Sequence, residues 1–260
     1  MKAGTYMQYT DLIFDLYGTL VDIHTEESDA VWEKCAVFFG FYGAHYTGKG
    51  LQAAFQQEMQ SREAIVGQSY ECFPDIPFEQ VMECLLRAGG VEGDCRALAV
   101  QAAQLFRIAS MEYIRVYPGA REALDSLRKK GYRLWLLSNA QRVFTAYELR
   151  HLGLENAFHG IYLSSDFQCR KPDSRFYRAL LEERGLQADR CLMIGNDRET
   201  DIAGAKKMGL ATLYMHTALT PAHQTMADCA LRPDNAPPGC RHFEFEGDHW
   251  AELVKLIEGL

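Results

Sequence analysis

The chain has 260 residues, 48% hydrophobic and 24% charged, enough for a well-buried core in one or two domains of a soluble protein. Its formal net charge of −8 argues against a nucleic-acid-binding surface, and no apolar run reaches the length that crosses a membrane. The eight cysteines contain no C-x-x-C pair and Met1 to Tyr6 lead into no apolar segment, so reduced thiols and a cytoplasmic location are expected.

In chain order, Leu12-Ile13-Phe14 reads as a buried strand over residues 11–15, ending on Asp15 ahead of a Gly18-Thr19 turn. Residues 23–112 carry no convincing strand. Helical patterns over 26–40, 50–67, 77–89 and 95–112, broken at Phe73-Pro74-Asp75-Ile76-Pro77, predict a small helical domain inserted after the first strand. Its two crossings, near residues 22 and 113, would form a hinge. Tyr42, His45, Tyr46, Phe55, Met59, Arg62 and Tyr70 are candidates for its inner face, although such residues at helical spacing are more often core.

From Tyr113 onward short apolar runs alternate with amphipathic stretches. Residues 134–137, 161–163, 192–194 and 211–215 read as buried parallel strands. Pro118 opens one helix that Gly131 closes, and Pro172 opens another that closes near Gly185. Residues 216–241, with Pro221, Pro233, Pro237 and Pro238, look irregular; a last strand at 242–245 and a helix at 250–257 follow. Cys229, Cys240 and His242 are poorly spaced for zinc. The alternation predicts an α/β fold: a doubly wound parallel sheet, Rossmann-like, formed by residues 1–22 and 113–260, with 23–112 as the insertion.

In such sheets ligands bind outside the carboxyl ends of the strands, and four of these ends are polar here. The first offers Asp15 and Thr19, a carboxylate held rigidly enough to act as a nucleophile. The second offers Ser138-Asn139 ahead of a helix, where a hydroxyl and backbone N–H groups hold an anion. The third is followed by Arg170-Lys171-Pro172, and the fourth by Gly195-Asn196-Asp197-Arg198-Glu199-Thr200-Asp201. Plainer roles exist for each: Ser138 as a helix cap, Lys171 as a turn lysine, Asp201 as a helix-start acid, Asn196 as a loop-shaping residue. His24 reads as a surface residue.

Phe14-Asp15-Leu16-Tyr17-Gly18-Thr19, Leu137-Ser138-Asn139, Arg170-Lys171-Pro172-Asp173 and the 195–201 segment, in this order, resemble the four motifs of the haloacid dehalogenase superfamily. The resemblance covers residues 8–22 and 113–215, and the helical insertion is similar to that superfamily's cap. It implies Asp15 as nucleophile, Ser138 and Lys171 binding the transferred group, and Thr19, Asn139 and Arg170 near the substrate. In the phosphatase branch it implies Mg²⁺ between Asp15, the Tyr17 carbonyl and Asp197, with Asp201 in support, and a small phosphorylated metabolite as substrate.

One position departs from the pattern. Most phosphatases of the superfamily carry a general-acid aspartate where this chain has Tyr17, and a phenol is a poor acid near neutrality. Tyrosine there also resembles the 2-haloacid dehalogenase branch, where halide leaves without a proton. That branch, however, lacks Mg²⁺ and an aspartate at the place of Asp197, and Arg62 matches its halide-receiving cap arginine poorly. Asp197 therefore favours the Mg²⁺-dependent phosphatase; a dehalogenase and a catalytically weak binding scaffold remain the alternatives.

Overall fold

Strand β1 (Asp11–Phe14) is buried along its whole length because every neighbour is another apolar strand. The computed structural model, which describes residues 8–66, 72–219, 240–247 and 249–260, places it inside a six-stranded parallel sheet. The spatial order is β5 (Gly160–Leu163), β4 (Arg133–Ser138), β1, β6 (Cys191–Gly195), β7 (Ala211–His216), β8 (His242–Glu246). Phe14 lies opposite Leu136 of β4 and Ile194 of β6, so three polar strand ends arrive side by side.

Alternation along the strands splits the core in two. Leu12, Phe14, Leu134, Leu136, Leu192 and Ile194 face α5 (Ala120–Lys129) and α10 (Trp250–Gly259), meeting Leu124, Leu127, Leu253 and Ile257. Ile13, Trp135, Leu137 and Met193 face the other way, against Phe176, Tyr177 and Leu180 of α8 (Ser174–Arg184). Helix α6 (Arg142–His151) follows β4, the short α7 (Ser164–Phe167) follows β5, and a π-helical stretch, Arg198–Ala203, runs after β6 into α9 (Gly204–Lys207). Asp173 caps α8, accepting from the Arg175 amide at 2.9 Å, which sets the helix start just past Pro172.

Between β1 and β4 the chain leaves the sheet along β2 (Val21–Thr25) and returns along β3 (Met111–Val116), which pair antiparallel with Ile23 opposite Ile114. This ribbon corrects the expectation that residues 23–112 hold no strand and that a helix runs to 112. The alternation in Val21-Asp22-Ile23-His24 is too short to stand out from a loop, and Met111 to Val116 continues directly from a helix. Between the ribbon strands lie α1 (Asp29–Phe41), α2 (Gly48–Val66), α3 (Phe78–Ala88) and α4 (Cys95–Ser110), packed on their own core of Trp32, Phe39, Leu51, Met82, Leu86 and Phe106. Tyr46, Phe55 and Met59 pack against that core too, while Tyr42 is exposed.

Cys35, Cys84, Cys95, Cys169, Cys191 and Cys240 are free thiols, and Cys72 Sγ accepts from Arg175 Nη2 at 2.8 Å. Tyr70, Cys229, Pro221, Pro233, Pro237 and Pro238 lie outside the described residues. Among those described, no helix is long and apolar enough to cross a membrane.

Candidate active site

The loop after β1 is wound tightly. The amides of Leu20 and Val21 both donate to the Leu16 carbonyl, at 2.8 and 2.9 Å, and the Gly18 amide donates to the Val21 carbonyl at 2.8 Å. Gly18 sits at φ +81°, and a Cβ there would stand 2.3 Å from the Asn196 amide nitrogen, so both backbone and space require glycine. This winding holds Asp15 just beyond the sheet, its own amide bonded to the Ile194 carbonyl at 3.0 Å.

Three donors converge on the Asp15 carboxylate, which is 7% exposed. Lys171 Nζ donates to Oδ1 at 2.7 Å, Ser138 Oγ to Oδ1 at 3.3 Å, and Thr19 Oγ1 to Oδ2 at 3.3 Å. Lys171 is itself buried and gives a second bond, at 2.6 Å, to Asp201 Oδ1. Burial works to lower the Lys171 pKa, but the two carboxylates more than offset it and the ammonium is favoured. Burial pushes Asp201 up to about 7 against the pull of Lys171. Room for Asp201 is made by Gly195, where a Cβ would stand 2.2 Å from its Oδ2.

The remaining expected residues are placed close by, some with their polar atoms already engaged. Thr19 bridges Asp15 to Asn196, whose Oδ1 accepts at 3.1 Å. Asn139 is spent on the backbone of Lys171, accepting from its amide at 2.7 Å and donating to its carbonyl at 3.0 Å; it positions the lysine. Asp197 Oδ1 caps the turn that follows, accepting from the Glu199 and Thr200 amides at 2.8 Å each. Both Asp201 oxygens are taken, Oδ2 by the Asp197 amide at 3.1 Å. Arg170 is exposed and lines a cleft of about 520 Å³ with Phe73, Asn139, Lys171, Glu199 and Lys207. Arg62 pairs instead with Glu58 at 2.6 Å on α2, and exposed His24 pairs with Glu112.

For a divalent cation the fit is one of donor chemistry. Among the described residues no three His, Cys, Asp or Glu side chains converge as a cage. Mg²⁺ needs fewer, since it takes one or two carboxylates and keeps several waters. Asp15, the Tyr17 carbonyl and Asp197 offer oxygen donors only, the donor chemistry Mg²⁺ takes, while Asp201 is already bonded to Lys171 and the Asp197 amide.

Two groups of residues here have no signature in the sequence. The Tyr17 hydroxyl turns to α6, donating to Glu148 Oε2 and accepting from Thr145 Oγ1 at 2.9 Å, while Arg107 of α4 donates to Glu148 Oε1 at 2.6 Å. Burial and the Glu148 charge hold the phenol well above its ordinary pKa. Asp75, from the segment between α2 and α3, accepts from Ser164 Oγ and, at 2.7 Å, from Gln141 Nε2. The only hint in the sequence is a charged Arg107 on a helix face otherwise made of Ala99, Ala102, Ala103 and Phe106.

Comparison with known proteins gives the family. A family model described as haloacid dehalogenase-like hydrolase matches residues 12–209. A pyrimidine 5′-nucleotidase of Streptococcus pneumoniae is 25% identical over 242 residues, 86% of this chain and 95% of that protein. An (S)-2-haloacid dehalogenase of Pseudomonas sp. (strain CBS-3) is 26% identical over 232 residues, 88% of this chain and 91% of that protein. Two other relatives, 30% and 34% identical, are matched over about half their length, 49% and 48%. The solved 2-haloacid dehalogenase of Pseudomonas syringae pv. Tomato shares the fold, with a TM-score of 0.57 at 18% identity over 96% of this chain and 98% of that one. With the ordered motifs, the parallel sheet and a family match over most of its length, the chain belongs to the haloacid dehalogenase-like hydrolases.

Proposed function

We propose that this chain is a cytoplasmic, Mg²⁺-dependent phosphomonoester hydrolase acting on a small phosphorylated metabolite, with Asp15 as nucleophile. The observation that carries the reading is the Asp15 carboxylate held between Lys171, Ser138 and Thr19; Lys171 also lines a cleft with Arg170, Lys207 and one acid, Glu199.

Asp15 attacks phosphorus, the bond to the ester oxygen breaks, and an aspartyl phosphate forms that water later hydrolyses at phosphorus. Lys171 and Ser138 hold the phosphoryl oxygens. Asn139 keeps Lys171 in place through its backbone, and Asp201 keeps it charged. Bound between Asp15, the Tyr17 carbonyl and Asp197, Mg²⁺ would neutralise phosphate charge that otherwise opposes a carboxylate. The departing alkoxide finds no acid at Tyr17, whose proton is committed to Glu148. Esters with good leaving groups therefore react fastest. Residues 23–112 act as a cap whose closure excludes water.

A second reading, 2-haloacid dehalogenation, is favoured by Tyr17 itself, because halide leaves without a proton, and by the 26%-identical dehalogenase relative. Phosphate release from metabolite phosphates and an activated aryl phosphate, with Mg²⁺ and with chelator, tests the first reading. Chelator-sensitive release is expected. Halide release from 2-haloacids with no phosphate release overturns it in favour of the second.

A further inference from the structure

The Tyr17 hydroxyl is bound to Thr145 and Glu148 of α6, residues that no catalytic role requires. We propose that Arg107, Glu148 and Tyr17 form a latch through which the seating of α4 sets the conformation of the nucleophile loop, with Glu148 as its positioning residue.

Glu148 is 4% exposed, an unusual place for a carboxylate on a helix. Both its oxygens are used: Oε1 by Arg107 Nε at 2.6 Å, Oε2 by Arg107 Nη2 at 3.2 Å and by the Tyr17 hydroxyl. A bidentate guanidinium–carboxylate pair fixes orientation as well as distance. The Arg107 guanidinium lies between two rings, its Cζ 5.6 Å from the centroid of Tyr17 and 5.4 Å from that of Phe144. Thr145, one turn before Glu148, completes the shell of the phenol.

The hydrogen-bonded ribbon closes the circuit. From Tyr17 the chain runs four residues to Val21, with which it forms a bridge, then along β2, across the ribbon to β3, and so to the end of α4 that carries Arg107. A shift of α4 relative to α6 thus pulls on Tyr17 twice, through the ribbon and through the latch. Asp15 is two residues away. In the seated state the burial of Glu148 favours keeping both partners, since either loss leaves a buried charge or an unpaired donor. Broken, the loop loses the contact that orients its Tyr17 carbonyl and, through it, Asp15.

The rate part of the test rests on the hydrolase reading; the exchange part does not. Tyr17→Phe removes one hydroxyl, Glu148→Gln removes the charge at equal shape, and Arg107→Lys keeps the charge without the fork. In the full-length protein without substrate, amide hydrogen exchange of residues 16–21 should speed up at least about 10-fold in Glu148→Gln and less in Tyr17→Phe, with the sheet strands unchanged. With an activated aryl phosphate, kcat should fall about 10- to 100-fold in Glu148→Gln while KM moves less than about threefold. Arg107→Lys should recover part of what Arg107→Ala loses. Unchanged exchange at 16–21, or faster exchange spread evenly over the core, overturns the latch. If the wild-type protein hydrolyses no phosphate ester, the hydrolase reading fails alone and the exchange data still decide.

Discussion

The parallel sheet and the helical unit are each held by apolar packing, but the seam between them is largely polar. Within the sheet, Leu12, Ile13 and Phe14 are wholly buried between β4 and β6; within the helical unit, Phe39, Leu51 and Met82 are equally so. Across the seam stand Arg107–Glu148, Asp75 with Ser164 and Gln141, and the Phe73 amide donating to Asp173 at 3.1 Å, with Phe78 against Phe144 as an aromatic contact. Polar bonds exchange with water at little net cost, whereas apolar cores do not separate without a large penalty. The two regions therefore differ in what each can do. The sheet fixes Asp15, Ser138 and Lys171; the seam is where the proposed cap would open.

Substitutions at the sheet edge should have the largest effects. Asp15→Asn is expected to lower phosphate release by on the order of 10⁴-fold or more with the far-ultraviolet circular dichroism unchanged, since the amide fills the same space. A retained rate would remove Asp15 from the reaction. Lys171→Met leaves Asp15 and Asp201 buried together without their cation. It should cost about 3–5 kcal/mol of stability in addition to activity, read from urea midpoints. A normal midpoint would mean that the carboxylates are already neutral and that Lys171 balances no buried charge.

Tyr17→Asp addresses the missing acid. Loss of the latch slows every substrate alike, so the informative quantity is the ratio of alkyl to aryl phosphate turnover. That ratio should rise by about 10-fold or more if a carboxyl group at this position protonates the leaving oxygen. A constant ratio, with Mg²⁺ still bound, would show that leaving-group protonation does not limit the wild-type enzyme.

The sheet was readable in the sequence because its strands are short apolar runs ending at Asp15, Ser138 and Gly195, and such runs carry their own boundaries. Part of the constellation was readable too: Lys171, in the loop after α7, does meet Asp15, and Asp201 through it. What stayed hidden is pairing at long range. Tyr17 and Glu148 are 131 residues apart, and Asp75 and Ser164 are 89 apart, so no period or motif links them. The engaged side chains of Asn139 and Asp197 were hidden for a related reason, since only the folded loops decide which amides they face. The ribbon strand β3 was missed because local pattern cannot distinguish the end of a helix from a half-exposed strand that follows it without a turn.

The smallest effect expected concerns the seam, and it is one of sign. Burial raises the Asp75 carboxyl pKa, against the bonds from Ser164 and Gln141 and the nearby Arg170 charge that lower it. The folded protein therefore keeps a proton on Asp75 over a pH range in which the unfolded chain, with an ordinary carboxyl near 3.8, has lost it. There the native state binds more protons, so this group makes stability fall as pH rises from that value through the folded pKa, and level off above it. Most surface carboxylates paired with cations act in the opposite direction. Comparing Asp75→Asn with wild type isolates the contribution: the variant, neutral throughout, should gain relative stability as pH rises above the ordinary carboxyl value of 3.8. A difference that does not change with pH would mean that Asp75 is ionised in the fold, with Ser164 and Gln141 compensating fully for its burial, and that the seam at this point is as firmly set as the sheet edge beside it.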